Sequence, residues 1–215
     1  TGKTDLAVAL AERFPVEIIS VDSALIYQGM DIGTAKPDSG LLQRAPHFLI
    51  DIVDPADSWS VWDFVGAATR LIDEINQRGH IPVLAGGTMM YFNALEQGLH
   101  ELPAADQVVR QSLEQELEQK GLEALYQQLA MVDPVTSARL KPTDPQRILR
   151  ALEVFRISGR PMSEWLSVAS SRPAIDFKSV ILDVPERAAL HQRIEQRFQL
   201  MLEQGFEQEV VGLRR

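Results

Sequence analysis

Three short clusters in this 215-residue chain carry residue types that bind phosphate or move protons. The chain opens Thr1-Gly2-Lys3-Thr4, the back half of a phosphate-binding loop, G-x-x-x-x-G-K-[ST]. In such a loop the N–H groups at a helix start cradle an anion. Lys3 would neutralise terminal phosphate oxygens, and the Thr4 hydroxyl would reach a Mg²⁺ ion. Asp22-Ser23 follows the apolar run that ends at Val21. Ligands of open α/β sheets gather outside the carboxyl ends of the strands, so an acidic side chain there is a candidate reactive group. Gly86-Gly87-Thr88 ends a second apolar run, Ile81-Pro82-Val83-Leu84-Ala85. Its glycines let a ligand approach the backbone, and Thr88 can donate a hydrogen bond to a phosphate oxygen. Plainer readings stand beside these: Asp22 as a turn cap, and Thr88 as the N-cap of a helix over residues 89–95.

The flanking pattern supplies elements able to position these clusters. Residues 5–13 read as a helix with Leu6, Ala9 and Leu10 on one side, and residues 16–21 as a strand. The front half of the loop and its strand are expected to precede Thr1, missing from the sequence. Residues 37–43 read as a short helix or loop, and residues 47–53 as a strand. Residues 60–78 predict the best helix: Ser60 and Asp63 have capping-box spacing, and Val61, Phe64, Val65, Ala68, Leu71, Ile72 and Ile75 form its apolar stripe. Gly79 would stop it. This alternation predicts an α/β, doubly wound parallel sheet with helices on both faces, of the P-loop NTPase-like kind.

Beyond Tyr91 the pattern turns helical. Residues 106–120 and 122–131 are separated by Gly121, and a shorter helix covers 133–140. Another runs over 144–158, with Asp144 as N-cap, Pro145 in the first turn and Gly159 as its stop. Residues 167–177 form an irregular polar link. Residues 179–184 then predict a strand, and 185–204 a helix closed by Gly205. The expected layout is a core domain of residues 1–102 and 174–215, interrupted by an all-helical insertion of residues 103–173.

Composition narrows the function. No cysteine is present, which excludes disulfides, zinc–thiolate sites and Cys nucleophiles. His47, His80, His100 and His191 lack ligand-like spacing. No apolar run approaches a membrane span and no signal pattern opens the chain, so a cytoplasmic enzyme without a membrane partner is expected. The net charge of −9 argues mildly against nucleic acid, but its distribution does not. Residues 96–123 carry −5, whereas residues 139–160 carry +4. On the 144–158 helix, Gln146, Arg147 and Arg150 fall within about 100° of one another. They form either a solvated face or a contact to phosphates and base edges. A small-molecule kinase would place an acidic Mg²⁺ organiser after an apolar strand, which Gly86-Gly87 does not supply; a nucleotide-gated binding module is a further alternative.

Asp22-Ser23-Ala24-Leu25-Ile26-Tyr27, followed by Met30-Asp31-Ile32-Gly33-Thr34-Ala35-Lys36-Pro37, closely resembles the signature of the tRNA dimethylallyltransferases. Gly86-Gly87-Thr88-Met89-Met90-Tyr91 resembles that family's G-G-T-x-x-Y, and Leu102-Pro103 through Arg110 the opening of its helical insertion. Asp144-Pro145-Gln146-Arg147-Ile148-Leu149-Arg150-Ala151-Leu152-Glu153-Val154 is similar nearly throughout, as is the run from Arg193 through Arg197 and Met201 to Gly205 and Glu209-Val210. The resemblance covers almost the whole chain; the loop lacks its front half, and the family would continue past Arg215. It implies transfer of the dimethylallyl group of dimethylallyl diphosphate to N6 of the adenosine just 3′ of the anticodon, in tRNAs reading codons that begin with U. It also implies roles. Asp22 would be the base that takes the N6 proton, and Thr88 would hold the diphosphate and help align the adenine. Thr1, Gly2, Lys3 and Thr4 would bind diphosphate, with Mg²⁺ at Thr4. Asp22, Ser23, Ala24, Leu25, Thr88, Arg110, Gln146, Arg147, Ile148, Leu149 and Arg150 would face the tRNA anticodon stem-loop. Arg193 or Arg197 is a further diphosphate candidate. The protein is expected to act as a monomer.

Overall fold

The computed structural model describes residues 2–168, 170, 172–184 and 186–214; Thr1 lies outside the described residues. The chain forms two compact units, residues 1–96 with 173–215, and residues 97–172.

The first unit begins with α1 (Lys3–Ala11) and β1 (Val16–Val21). There follow α2 (Ser39–Arg44), β2 (His47–Phe48), α3 (Val61–Gln77), β3 (Ile81–Gly86) and α4 (Met89–Gln97). The sheet is parallel, in the order β2-β1-β3. β1 runs in register with β3 from Val16 opposite Ile81 to Val21 opposite Gly86. Helices pack on both faces of β1, so Ile18, Ile19 and Val21 are all buried although their side chains alternate between the faces. Ile18 packs with Ala7 and Val8 of α1. Ile19 and Val21, on the other face, pack with Phe64, Ala68 and Ile72 of α3 and Tyr91 and Leu95 of α4. The Phe64 and Tyr91 rings stack 4.1 Å apart at 8°, a geometry worth about 0.5–1.5 kcal/mol beyond the area it buries. At the start of α3, Ser60 and Asp63 make the expected capping box.

The second unit contains α5 (Gln107–Val132), α6 (Pro134–Arg139), α7 (Pro145–Ser158) and α8 (Met162–Ser167). Gly121 breaks α5 with φ 76° and ψ 165°, a left-handed φ that glycine adopts at little cost. Leu113 before the break, and Leu125 and Leu129 after it, all reach the core made with Ile148, Ala151 and Leu152 of α7. Asp106, Asp133 and Asp144 each cap a helix, accepting from the N–H of Val109, Thr136 and Arg147. Gly159, at φ 68°, ends α7.

The chain returns to the first unit, where α9 (Arg187–Glu203) and α10 (Phe206–Leu213) are separated by Gly205 at φ 99°. Among the described residues no helix is long and apolar enough to cross a membrane.

Two expected strands differ. Of residues 47–53, only His47 and Phe48 pair in the sheet. Leu49 and Asp51 adopt φ of 63° and 56°, and a left-handed residue cannot continue an extended ladder; Val53 rejoins as a single bridge to Tyr27. Residues 179–184 form no strand. A strand needs a sheet edge to take its N–H and C=O groups, and among the described residues none pairs here. Val180 and Ile181 remain 76% and 89% exposed, while Ile175 and Phe177 just upstream pack on the core. Pro185, the expected start of the last long helix, lies outside the described residues.

Candidate functional site

The carboxyl ends of β1 and β3 meet because Gly86 lacks a side chain. A Cβ there would lie 2.0 Å from the Val21 carbonyl oxygen. That same oxygen accepts from the N–H groups of Gly87 and Thr88, both at 3.2 Å. The glycine read from the sequence as room for a ligand is therefore room for the neighbouring strand.

Past this junction the two strand ends are tied by side chains. Thr88 Oγ1 accepts from the Ser23 N–H at 3.0 Å and lies 3.4 Å from Ser23 Oγ. Its carbonyl opens α4, accepting from Tyr91 N–H at 3.0 Å. Asp22 Oδ1 accepts from Ala24 N–H at 2.9 Å and Leu25 N–H at 3.3 Å. The turn-capping geometry is thus present, but both bonds use one oxygen. Oδ2 is unengaged among the described residues, so capping fixes the carboxylate without consuming it.

The segment Gly2-Lys3-Thr4 approaches the same place. Gly2 sits at φ 83° ahead of α1, a backbone that a side chain would strain, and its carbonyl accepts from Leu6 N–H at 3.1 Å. Lys3 Nζ lies 3.9 Å from where a Cβ on Gly87 would be. Lys3 and Thr4 stand in the exposed first turn of α1. Asp22, Ser23, Thr88 and Lys3 are thereby assembled at one sheet edge, around a helix start suited to an anion.

In the second unit the expected RNA-facing residues divide. Gln146 and Arg147 are exposed on the first turn of α7, with Arg147 reaching Asp144 at 3.2 Å. Ile148, at 0% exposure, lies in the core, and Leu149 packs against it. Their side chains are hydrophobic packing, as the 3.6-residue period of α7 dictates. Arg150 donates to Glu153 at 2.7 Å and to the Pro103 carbonyl at 2.7 Å. Arg110, half exposed, donates to Glu153 at 2.9 Å. Glu153 is the residue sequence reading missed. It is 2% exposed and also accepts from Asp106 N–H at 3.0 Å. Burial pushes its carboxyl upward, but Arg150, the Asp106 N–H and Arg110 outweigh this and hold it below the usual range. Arg193 and Arg197 are exposed on α9.

The sequence model of the family described as IPP transferase matches residues 25–215. Among solved structures, the tRNA isopentenylpyrophosphate transferase of Bacillus halodurans is 37% identical, with a TM-score of 0.59, over 99% of this chain and 66% of that one. The tRNA delta(2)-isopentenylpyrophosphate transferase of Staphylococcus epidermidis is 31% identical, with a TM-score of 0.57, over 99% of this chain and 69% of that one. A eukaryotic dimethylallyltransferase acting on tRNA is 28% identical, with a TM-score of 0.73, over 99% of this chain and 53% of that one. The chain thus spans between about half and about two thirds of these relatives. With a family match across most of its length and an identity above 30% over nearly all of it, the chain belongs to the IPP transferase family.

Proposed function

We propose that this chain carries prenyl transfer to tRNA, moving the dimethylallyl group from dimethylallyl diphosphate to N6 of the adenosine just 3′ of the anticodon, in tRNAs reading codons that begin with U. The observation that supports it is the gathering of Asp22, Thr88 and Lys3 where β1 and β3 end.

The adenine N6 lone pair is delocalised into the ring, so its attack on the prenyl carbon needs a base. As the C–N bond forms, the C–O bond to diphosphate breaks and Asp22 takes the N6 proton. Thr88 orients Ser23 and lies beside both the departing oxygens and the adenine. Gly2, Lys3 and Thr4, with Thr1, hold the diphosphate as a P-loop holds phosphates. An exposed Thr hydroxyl on the first turn of α1, beside diphosphate oxygens, is a hard donor set that suits Mg²⁺. When bound there, the ion neutralises charge on the leaving group. The target base must leave its stack to reach Asp22. Ser23, Ala24 and Leu25 line its approach, while Arg110, Gln146 and Arg147 contact phosphate or base edges from the helical unit. The enzyme works as a cytoplasmic monomer in this reading.

The test incubates the full chain with an anticodon stem-loop RNA and dimethylallyl diphosphate and records RNA mass. A gain of one dimethylallyl group is expected. An unchanged RNA mass together with phosphate release from ATP would overturn the reading in favour of a kinase.

A further inference from the structure

The loop after Met30 turns three successive backbone N–H groups onto one side chain from the far end of the chain. Asp31 and Ile32 donate to Glu209 Oε2 at 2.8 and 2.6 Å, and Gly33 donates to Oε1 at 3.0 Å. Successive N–H groups of this kind make a concave seat for an anion, and bonds to a charged acceptor are the stronger sort. Phe206, also on α10, closes the same loop. A Cβ on Gly33 would lie 2.2 Å from its ring, so a side chain there would push α10 away.

The loop is tied in turn to the Asp22 stretch. Lys36, whose side chain is 4% exposed, donates to the Tyr27 carbonyl at 2.8 Å, to Asp31 Oδ1 at 2.6 Å and to Asp51 Oδ1. The N–H of Asp51 donates to the Leu25 carbonyl at 3.2 Å, and the N–H of Leu25 donates to Asp22 Oδ1. Ala35 and Asp51 keep left-handed φ of 53° and 56°, which non-glycine residues hold only where their surroundings over-determine them. Contact by contact, the loop seated on Glu209 leads to the carboxylate at the end of β1.

We propose that Glu209 is a positioning residue for the Asp22 site, seating the Asp31–Gly33 amides so that Lys36 fixes the backbone from which Asp22 is aimed. The kinetic part of this inference rests on Asp22 being the base of the proposed reaction. A chain of contacts is not itself coupling, so the experiment reads coupling directly.

Glu209→Ala and Glu209→Gln are made in the full chain. Transfer to the stem-loop is measured at varied dimethylallyl diphosphate, and backbone amide exchange is followed by NMR. Glu209→Ala is expected to lower kcat by about 10- to 100-fold, as a misplacement far from the chemistry can, with KM for dimethylallyl diphosphate unchanged. Glu209→Gln, which keeps one oxygen for the amides, recovers most of the loss. Exchange in Glu209→Ala quickens at Asp31–Gly33 and also at Ala24 and Leu25, whose N–H groups rest on Asp22. An unchanged kcat overturns the proposal, as does equal damage to kcat and that KM with no recovery in Glu209→Gln. Absence of transfer in the parent chain would instead reject the proposed reaction. The exchange measurement then still decides: quickening at Asp31–Gly33 without quickening at Ala24 and Leu25 overturns the positioning role.

Discussion

The Thr88 hydroxyl accepts a hydrogen bond from the Ser23 N–H at 3.0 Å, so the end of β3 holds the turn that carries Asp22. Thr88→Val keeps the shape and removes the acceptor. It should cost about 0.5–1.5 kcal/mol of stability and slow prenyl transfer by more than that loss explains, at least about tenfold. Thr88→Ser should track the parent in both. Thermal melts and single-turnover rates on the same preparations separate the two effects.

Asp22→Asn keeps an oxygen for the Ala24 and Leu25 amides but cannot take a proton. Transfer should fall by about 10²- to 10⁴-fold, the usual weight of a general base, with stem-loop affinity nearly unchanged. If affinity collapses while the rate at saturation survives, Asp22 is an RNA contact and not the base.

Two neighbouring arginines should part company. Arg147→Ala, in the exposed first turn of α7, should leave the melting temperature unchanged and lower the salt slope of RNA binding by about 0.7–0.9. Arg150→Ala strips a partner from buried Glu153 and from the Pro103 carbonyl. It should destabilise the protein by about 1–3 kcal/mol with the salt slope preserved. A reversed pattern would return Arg150 to the RNA.

Gly86→Ala should unfold or loosen the first unit, because the new methyl meets the Val21 carbonyl oxygen at 2.0 Å, a backbone atom that cannot swing aside as a flexible side chain would. Overpacking of this kind costs about 1–3 kcal/mol or more. Gly66→Ala, at a position where a Cβ meets nothing within 4 Å, serves as the control in denaturant titrations.

Acid should weaken the helical unit in a defined window. Arg156 and Lys120 hold the Glu116 carboxyl at about 2 against its usual 4.5. A carboxylate depressed in the folded state binds its proton earlier when unfolded. Its stabilisation is therefore complete above about 4.5 and disappears as pH falls toward about 2. Glu153 acts in the same direction. Glu116→Gln should flatten the fall in melting temperature across that range, a comparison made by calorimetry at matched salt.

Local signals carried much of the fold. The α3 capping box, the break at Gly121 and the Asp-Pro start of α7 are written in residues a few positions apart, and each forms as its spacing predicts. The failures are tertiary. Residues 179–184 have a strand's composition without a partner edge among the described residues, and Leu49 and Asp51 turn left-handed among apolar neighbours that suggest a continuous strand. The site divides in the same way. Asp22, Ser23 and Thr88 could be found because each ends a readable strand. Glu153 and Glu209 could not: beyond its local partner Arg150, Glu153 takes Arg110 and the Asp106 N–H from 43 and 47 residues away, and the amides on Glu209 lie 176 to 178 residues away, while a glutamate on a helix resembles any solvated one. Ile148 shows the opposite error, since a motif match does not state which side chains of a helix point inward.

Lys36 has a practical consequence. Its amine is enclosed by Asp31, Asp51 and the Tyr27 carbonyl, so an acylating reagent that quickly modifies exposed lysines such as Lys120 must wait for this enclosure to open. The lag between the two modifications, read peptide by peptide, is a clock for the breathing of the floor beneath Asp22, and it runs whether or not any substrate is present.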